Sequence, residues 1–289
     1  MAAEPDPRRW QALALVCVAF FMTVLDVSIV NVALPSIGRS LHFSSTGLQW
    51  VITAYAITFG GFLLLGGRAG DILGRKRMFL IGLTLFSLAS LVCGLSGSTG
   101  VLVAARAVQG LGAAVVSPST LSIITTTFEE GAERNKALGI WGAMGGSGAA
   151  AGVLFGGILT KYAGWEWIFF VNVPVGALVL ALAPRIVRES RAPDVGRNFD
   201  AIGASSVTGG LALLVYAISK APVDGWTDSR TIVLLIAAAV LIAFFLAWET
   251  RVENPLMPLS IFRIRTLAGA NVVGLLLGAS IFADFFLLT

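Results

Sequence analysis

The chain has 289 residues, of which 56% are hydrophobic and only 12% are charged, and its mean hydropathy is +0.87. This charged share is about half that of an ordinary globular domain, so there are too few charges to cover a water-exposed surface. The composition excludes a soluble enzyme, a secreted disulfide scaffold and a disordered regulator, and it predicts that lipid solvates most of the chain.

Nine stretches reach or approach the roughly 20 mostly apolar residues that a helix needs to span a bilayer. An open strand edge is not tolerated in hydrocarbon, so stretches of this length predict helices rather than strands. In chain order the predicted spans are Trp10–Leu34, Leu48–Gly67, Met78–Leu95, Val101–Thr125, Ala137–Leu159, Trp165–Ala183, Ala201–Ile218, Thr231–Trp248 and Leu267–Leu288. The predicted fold class is an all-α polytopic membrane protein.

The lysines and arginines are distributed unevenly between the two sets of loops. If the N-terminus is cytoplasmic, fifteen of the 20 fall in inner loops and four in outer loops, while Arg106 lies within a span. An excess of Lys and Arg marks the cytoplasmic side. We therefore expect a multi-pass protein of the cytoplasmic membrane with its N-terminus inside. The net charge of +4 reflects this topology and gives no reason to expect nucleic acid as a partner.

The sequence does not indicate metal or cofactor chemistry. Cys17 and Cys93 lie inside apolar runs, and His42, the single histidine, cannot form a metal cluster with them. No phosphate-binding loop of the form GxxxxGKS or GxxxxGKT occurs, so we do not expect ATP hydrolysis or another enzyme activity.

Asp26 is predicted to lie in the middle of the first span, in FFMTVLDVSIVNVALP. An ionised carboxylate at a helix centre costs on the order of 2.5–3.5 kcal/mol on insertion scales, so it must face a cavity, pair with a cation or bind a proton. Burial favours the protonated form and a nearby cation favours the ionised form, and the balance can suit a proton carrier. The alternative is a structural carboxylate that caps polar groups between helices.

Arg106 is predicted to be the one cation deep within a span, and Gln109 shares its helix face. An arginine stays protonated at any accessible pH, so it cannot carry the proton, but its charge can act on the group that does. The alternative is a static ion pair with Asp26 or a backbone clamp. A third acid, Asp284 in the ninth span, is expected either within the membrane or close to its outer surface.

A stripe of glycines runs along the fifth span. Gly145, Gly148, Gly152 and Gly156 fall within an arc of about 80°. Small residues at this spacing let two helices approach closely, so we predict helix packing, with a role in movement as the alternative.

The turn after the second span reads GGRAGDILGRKR, from Gly66 to Arg77. It resembles the signature loop of the major facilitator superfamily. The residues at the matching positions are Gly67, Asp71, Gly74, Arg75 and Lys76. The resemblance implies that this loop gates the cytoplasmic side of a transporter.

Three further segments resemble the fourteen-helix branch of drug:proton antiporters in that superfamily. LDVSIVNVALP resembles the first-helix motif and RAVQGLGAA the fourth-helix motif, which implies proton coupling by Asp26 and Arg106. FDAIGASS and ENPLMPLSIFR resemble the extra helix pair and the entry to a second bundle. There are two departures: Val153 follows Gly152 where the antiporter motif has proline, and Glu166 stands where a cation is usual.

The resemblance implies a major facilitator fold in five parts. These are an N-terminal tail over 1–9, a six-helix bundle over 10–184, a cytoplasmic linker over 185–200, two inserted helices over 201–250, and a loop with the first helix of an incomplete C-terminal bundle over 251–289. The branch has fourteen helices and nine are predicted here, so we expect a truncated chain that does not transport by itself.

The implied function is export of amphipathic drugs or antibiotics in exchange for protons, by a full-length monomer that uses the proton gradient and no cofactor. Hydrophobic or cationic small molecules would bind in a central cavity lined by the first and fourth helices, with Asp26 and Arg106 on one water-filled path. Aromatic faces suit planar and cationic drugs. The predicted cavity residues are Asn31, Trp50, Tyr55, Gln109, Trp141 and Phe155.

Three alternatives remain at this stage. The first is that each predicted aromatic cavity residue is a lipid anchor or a helix-packing residue. The second is that the chain is a symporter or uniporter of the same superfamily that moves a metabolite. The third is that it is a membrane fragment without transport activity.

Overall fold

The computed structural model describes residues 6–191, 200–253 and 255–288, and every regular element in these ranges is a helix. Eight of the helices are long and apolar enough to cross a membrane. They are α1 (Arg9–Ser40), α2 (Trp50–Leu73), α3 (Arg75–Gly94), α4 (Thr99–Thr127), α5 (Ala132–Tyr162), α6 (Trp167–Ile186), α7 (Ala201–Asp224) and α8 (Ser229–Glu249). The predicted all-α polytopic membrane fold is confirmed.

Shorter elements join these helices. A four-residue helix, Ser45–Leu48, precedes α2, and α6 consists of Trp167–Phe170 and Asn172–Ile186 on either side of Val171. A 3-10 helix, Leu259–Arg263, leads into α9 (Arg265–Leu288), where the ninth span was predicted. The side chain of Asp284 in α9 and linker residues 192–199 lie outside the described part of the chain.

The first six helices pack into one bundle. Within it α1 packs along α5, and α4 packs along both α2 and α3, while α6 contacts α1 and α3. α7 and α8 form an antiparallel hairpin whose α7 packs against α2. At that contact the Thr208 hydroxyl donates a hydrogen bond to the Gly61 carbonyl, at 2.7 Å.

The predicted glycine stripe faces α1. A Cβ on Gly148 would lie 3.2 Å from the Phe21 carbonyl oxygen, and one on Gly156 would lie 3.1 Å from the Ile29 carbonyl oxygen. Gly152 is closest, because its Cβ would lie 2.6 Å from Ser28 Cβ. At the end of the stripe, a Cβ on Gly145 would meet the Phe20 ring at 3.9 Å. Side chains on the stripe would therefore separate α1 from α5.

The buried apolar residues form two clusters that divide along α1. One cluster holds α1 residues up to Met22, and the other begins at Leu25. Asp26 directly follows Leu25 and its side chain is fully buried, so a polar group lies close to this division.

Candidate functional site

A network of buried polar side chains surrounds Asp26, whose relative exposure is 0%. Arg106 Nη1 donates to Asp26 Oδ2 at 2.6 Å. Gln109 Nε2 and Asn172 Nδ2 donate to Oδ1 at 2.8 and 3.1 Å. α1, α4 and α6 each supply part of this network, so it forms only when these helices are packed together.

Arg106 has other partners besides Asp26. Its Nε donates to the Val51 carbonyl at 3.1 Å, and its Nη1 also donates to Gln109 Oε1 at 2.7 Å. The guanidinium carbon lies 4.3 Å from the centre of the Tyr55 ring, a cation–π arrangement. A buried ion pair is tolerated when further hydrogen bonds satisfy both partners, and each partner of this pair has further hydrogen bonds.

The hydrogen-bond partners of Asp26 are all donors. Each of its three hydrogen-bond partners among the described residues is a donor, and donors to a carboxylate stabilise its charge. Arg106 can only donate, and Gln109 has its acceptor oxygen occupied by Arg106 and the Cys93 thiol. Asn172 turns its amide nitrogen toward Asp26, and its carbonyl oxygen has no partner among the described residues. Protonation of Asp26 therefore requires at least a rotation of this amide.

Asn172 belongs to this network and was missed by the sequence analysis. It is 1% exposed, and besides contacting Asp26 its amide donates to Ser90 Oγ at 3.0 Å. Its contact with Asp26 joins residues 146 positions apart. The sequence did carry a signal, because Asn172 is an amide inside the apolar run WIFFVNVPVG. A polar side chain in a membrane span needs a polar partner, as an acid does.

A cavity of about 350 Å³ lies between α1, α2, α4 and α5. Its walls are mostly apolar, with a few hydroxyl and amide groups. The lining residues are Phe20, Thr23, Val24, Val27, Ser28, Asn31, Tyr55, Phe59, Ser117, Gly145 and Ala149. Tyr55 belongs both to this cavity and to the network, because its ring also contacts Arg106.

The expectation that Asp26 and Arg106 face one water-filled path is wrong in this conformation. Neither lines the cavity, and their relative exposures are 0% and 1%. The cavity side of α1 is the side of Thr23 and Val27, and successive residues on a helix differ by about 100°. Asp26 therefore points away from the cavity and into the bundle.

Four of the six predicted cavity residues lie at the cavity or in the network. Asn31 and Tyr55 line the cavity, and Trp141 supports it by stacking on Phe20 with ring centres 4.2 Å apart. Gln109 is instead fully buried in the network.

Two predicted cavity residues lie elsewhere. Trp50 packs against Tyr216 of α7, with ring centres 5.6 Å apart, because the hairpin covers that end of α2. Phe155 is 48% exposed on α5 and does not line the cavity. For these residues the alternatives of packing and lipid contact describe the structure better.

The predicted gating residues lie in the last turns of α2, at Gly74, and at the start of α3. Arg75 Nη2 pairs with Asp71 Oδ1 at 2.9 Å, and Lys76 Nζ donates to the Pro184 carbonyl at 2.9 Å. Gly74 has a φ of 113°, which favours glycine, and Gly67 packs near Pro118. The pairing of Asp71 is thus local to the turn.

Glu189 contacts the start of α3 and was also missed. Its carboxylate accepts the backbone N–H groups of Lys76 and Arg77, both at 3.1 Å. A carboxylate at a helix N-terminus satisfies otherwise unpaired N–H groups and the helix dipole. Glu166, at the start of α6, forms no ion pair with any described residue.

These features define a polytopic membrane protein with a buried charge pair beside an apolar cavity, and the comparisons with known proteins agree. The chain matches the Major Facilitator Superfamily over residues 16–288. The chain belongs to this superfamily of transporters.

Relatives of this chain carry names of antibiotic resistance or export. It is 43% identical over 285 residues to the puromycin resistance protein pur8 of Streptomyces alboniger, covering 99% of this chain and 56% of that protein. It is 41% identical over 280 residues to the cephamycin export protein CmcT of Amycolatopsis lactamdurans, covering 96% of this chain and 58% of that protein. The chain therefore spans little more than half the length of these relatives.

The solved structure of the POT family transporter PepTSo has a similar fold. The TM-score is 0.60 at 15% sequence identity, and the similarity covers 82% of this chain and 52% of that one. At this identity the similarity supports the fold alone.

Proposed function

We propose that the protein exports amphipathic or cationic drugs across the cytoplasmic membrane in exchange for protons, with its N-terminus in the cytoplasm. Relatives named for puromycin resistance and cephamycin export support the drug substrate. The excess of Lys and Arg in alternate loops supports the orientation. The energy source is the proton gradient, and no cofactor takes part.

The observation that carries this proposal is the buried Asp26–Arg106 pair beside the cavity. The pair joins α1 to α4 at 2.6 Å, and Tyr55 connects it to the cavity wall. A purely structural role would require only the ion pair between Asp26 and Arg106. Coupling of proton and drug also requires contact between the ion pair and the cavity, and the Tyr55 ring provides that contact.

Protonation of Asp26 would change the balance between conformations. It removes the charge that compensates Arg106, and a buried charge left without its partner costs about 3–5 kcal/mol. Moving a two-state equilibrium from 1:99 to 99:1 takes about 5.5 kcal/mol, so one proton supplies a large part of what the switch needs. The protonated protein therefore favours a conformation in which water or another group reaches Arg106.

The cavity suits a drug of modest size. Its volume of about 350 Å³ lies at the lower end of the range of about 300–1,000 Å³ typical of small-molecule sites. Phe20, Tyr55 and Phe59 offer aromatic faces to a hydrophobic cation. A cation bound against Tyr55 would share that ring with Arg106 and repel the guanidinium, so drug and proton would compete.

The proposal is tested with inverted membrane vesicles from cells that express the protein from its complete reading frame. Export from the cell appears in these vesicles as uptake of a dye. We expect proton-driven dye uptake by wild type, loss of it in Asp26→Asn, and retention in Glu133→Gln. Glu133 is a suitable control because it is a half-exposed acid that pairs with Arg9 outside the network. Undiminished proton-dependent efflux in Asp26→Asn would remove Asp26 from the mechanism.

A further inference from the structure

Two buried carboxylates lie near Gly203, one at the start of α7 and one at the end of α8. Asp200 is the N-cap of α7 and is 9% exposed, and Glu249 is the last residue of α8 and is 5% exposed. Both lie beside Gly203, where an added Cβ would contact Asp200 Oδ2 and lie 3.0 Å from Glu249 Oε1. Both carboxylates therefore lie against the same glycine.

The hydrogen bonds give the two acids different roles. Glu249 accepts the backbone N–H of Leu256 on Oε1 at 3.2 Å and that of Met257 on Oε2 at 3.0 Å. Two such donors stabilise an ionised carboxylate. Glu249 thus holds the loop after α8 in place through its negative charge.

Asp200 has one satisfied oxygen and one unsatisfied oxygen. Oδ1 accepts from the Gly203 backbone N–H at 2.9 Å and from Trp248 Nε1 at 3.0 Å. Oδ2 is buried and has no hydrogen-bond partner among the described residues. A buried charged oxygen without a donor is costly, whereas a hydroxyl at the same place can donate to a neighbouring acceptor.

We propose that Asp200 and Glu249 form a proton-binding site, in which Asp200 carries the proton on Oδ2 and donates it to Glu249 Oε1. The proton satisfies the unpartnered oxygen and removes one of two negative charges that lie beside the same glycine. The site lies in the α7–α8 hairpin and is separate from the Asp26 network.

No cation of the described residues forms an ion pair with either acid. The five ion pairs of the described residues include neither Asp200 nor Glu249. Arg251 and Glu253, on the loop after α8, are exposed, and Arg68, on the neighbouring α2, makes no ion pair with either acid. No third metal-binding side chain joins the two acids within the described chain, which favours a proton over a metal ion.

The site connects three parts of the chain. Asp200 starts α7 directly after the linker, Trp248 and Glu249 end α8, and the backbone of Leu256 and Met257 is bound to Glu249. Loss of the proton would place two negative charges beside Gly203 and weaken this connection. The end of the hairpin therefore responds to pH.

The site is tested on the full chain purified in lipid nanodiscs, by thermal unfolding across pH and by infrared spectroscopy of the carboxyl group. For wild type we expect a protonated carboxyl band at neutral pH and an unfolding midpoint that falls by a few degrees from acidic pH up to the pH at which the folded site loses its proton, where the band also disappears. Asp200→Asn keeps an N–H donor toward Glu249 but cannot ionise, so it should lack the band and lack this fall in the midpoint.

Two further variants make the test specific. Asp228→Asn changes the N-cap of α8, where the carboxylate accepts from the Arg230 and Thr231 backbone without a second buried acid beside it, so wild-type behaviour is expected. Glu249→Gln removes the second charge, so Asp200 should ionise and the band should disappear. A band that persists in Asp200→Asn and Glu249→Gln would overturn the proposal. So would a wild-type protein that lacks the band and gains stability on addition of a metal ion.

Discussion

The crossing of α1 and α5 at Gly152 leaves no room for a methyl group. A Cβ there would lie 2.6 Å from Ser28 Cβ, 2.9 Å from the Leu25 carbonyl oxygen and 3.0 Å from the Ile29 nitrogen. Two of these three atoms belong to the backbone, so they cannot move without moving α1. Gly152→Ala should therefore push the two helices apart.

The expected magnitude follows from opposing terms. Alanine is favoured over glycine inside a helix by about 0.8–1.0 kcal/mol. Overpacking a tight interior costs about 1–3 kcal/mol. Separation of the helices also threatens the bond from the Ser28 hydroxyl to the Ala149 carbonyl at 2.7 Å, and such a bond contributes about 0.5–1.5 kcal/mol. We expect a net loss of about 1–3 kcal/mol.

Gly157→Ala is the matched control on the same helix. A Cβ at Gly157 has no neighbouring atom within 4 Å, so only the helix propensity acts and the protein should be as stable as wild type or slightly more stable. Thermal unfolding in detergent measures both variants. If Gly152→Ala is as stable as Gly157→Ala, the two helices do not approach as closely as described.

Three further predictions concern the network, the gating turn and the cavity. Arg106→Met leaves Asp26 buried without its cation and should destabilise the protein by about 3–5 kcal/mol, and Asp26→Asn in the same chain should restore part of that loss in thermal unfolding; an equal loss in the double variant would contradict the pairing. Glu189→Ala removes the carboxylate that accepts two backbone N–H groups in the first turn of α3 and should cost about 1 kcal/mol, seen as faster hydrogen exchange in that turn; unchanged exchange would refute the contact. Phe20→Ala should weaken binding of a cationic dye about tenfold, the effect of roughly 1.4 kcal/mol, while Phe155→Ala should bind like wild type; equal losses in both would argue against this cavity as the site.

The helices were predictable because lipid restricts the choice of structure. An apolar run of about 20 residues in a bilayer must satisfy its own backbone hydrogen bonds, so its length alone predicts a helix. The same restriction makes charges informative: Asp26 and Arg106 stood out because each is costly in a span, and each is the partner that the other requires.

The direction of a side chain was less predictable. In a span that is apolar on all sides, composition does not tell the cavity side from the bundle interior, so Asp26 was expected to face the cavity and instead faces Gln109. Aromatic residues suit lipid, packing and drug contact alike, which explains the errors at Trp50 and Phe155.

Contacts between residues far apart in the chain could not be predicted from the sequence either. Glu189 contacts the start of α3 across 113 positions, and Asn172 contacts Asp26 across 146. Such pairings depend on how the helices pack, because no local pattern in the sequence links one residue to the other.

Proton release during drug binding tests the central role of Asp26 most directly. The purified protein in weakly buffered solution is mixed with a cationic drug at a pH where Asp26 is protonated, and released protons are counted against bound drug. We expect wild type to release about one more proton per bound drug than Asp26→Asn, which should still bind the drug. Equal proton release by the two proteins would show that Asp26 does not exchange a proton for the drug.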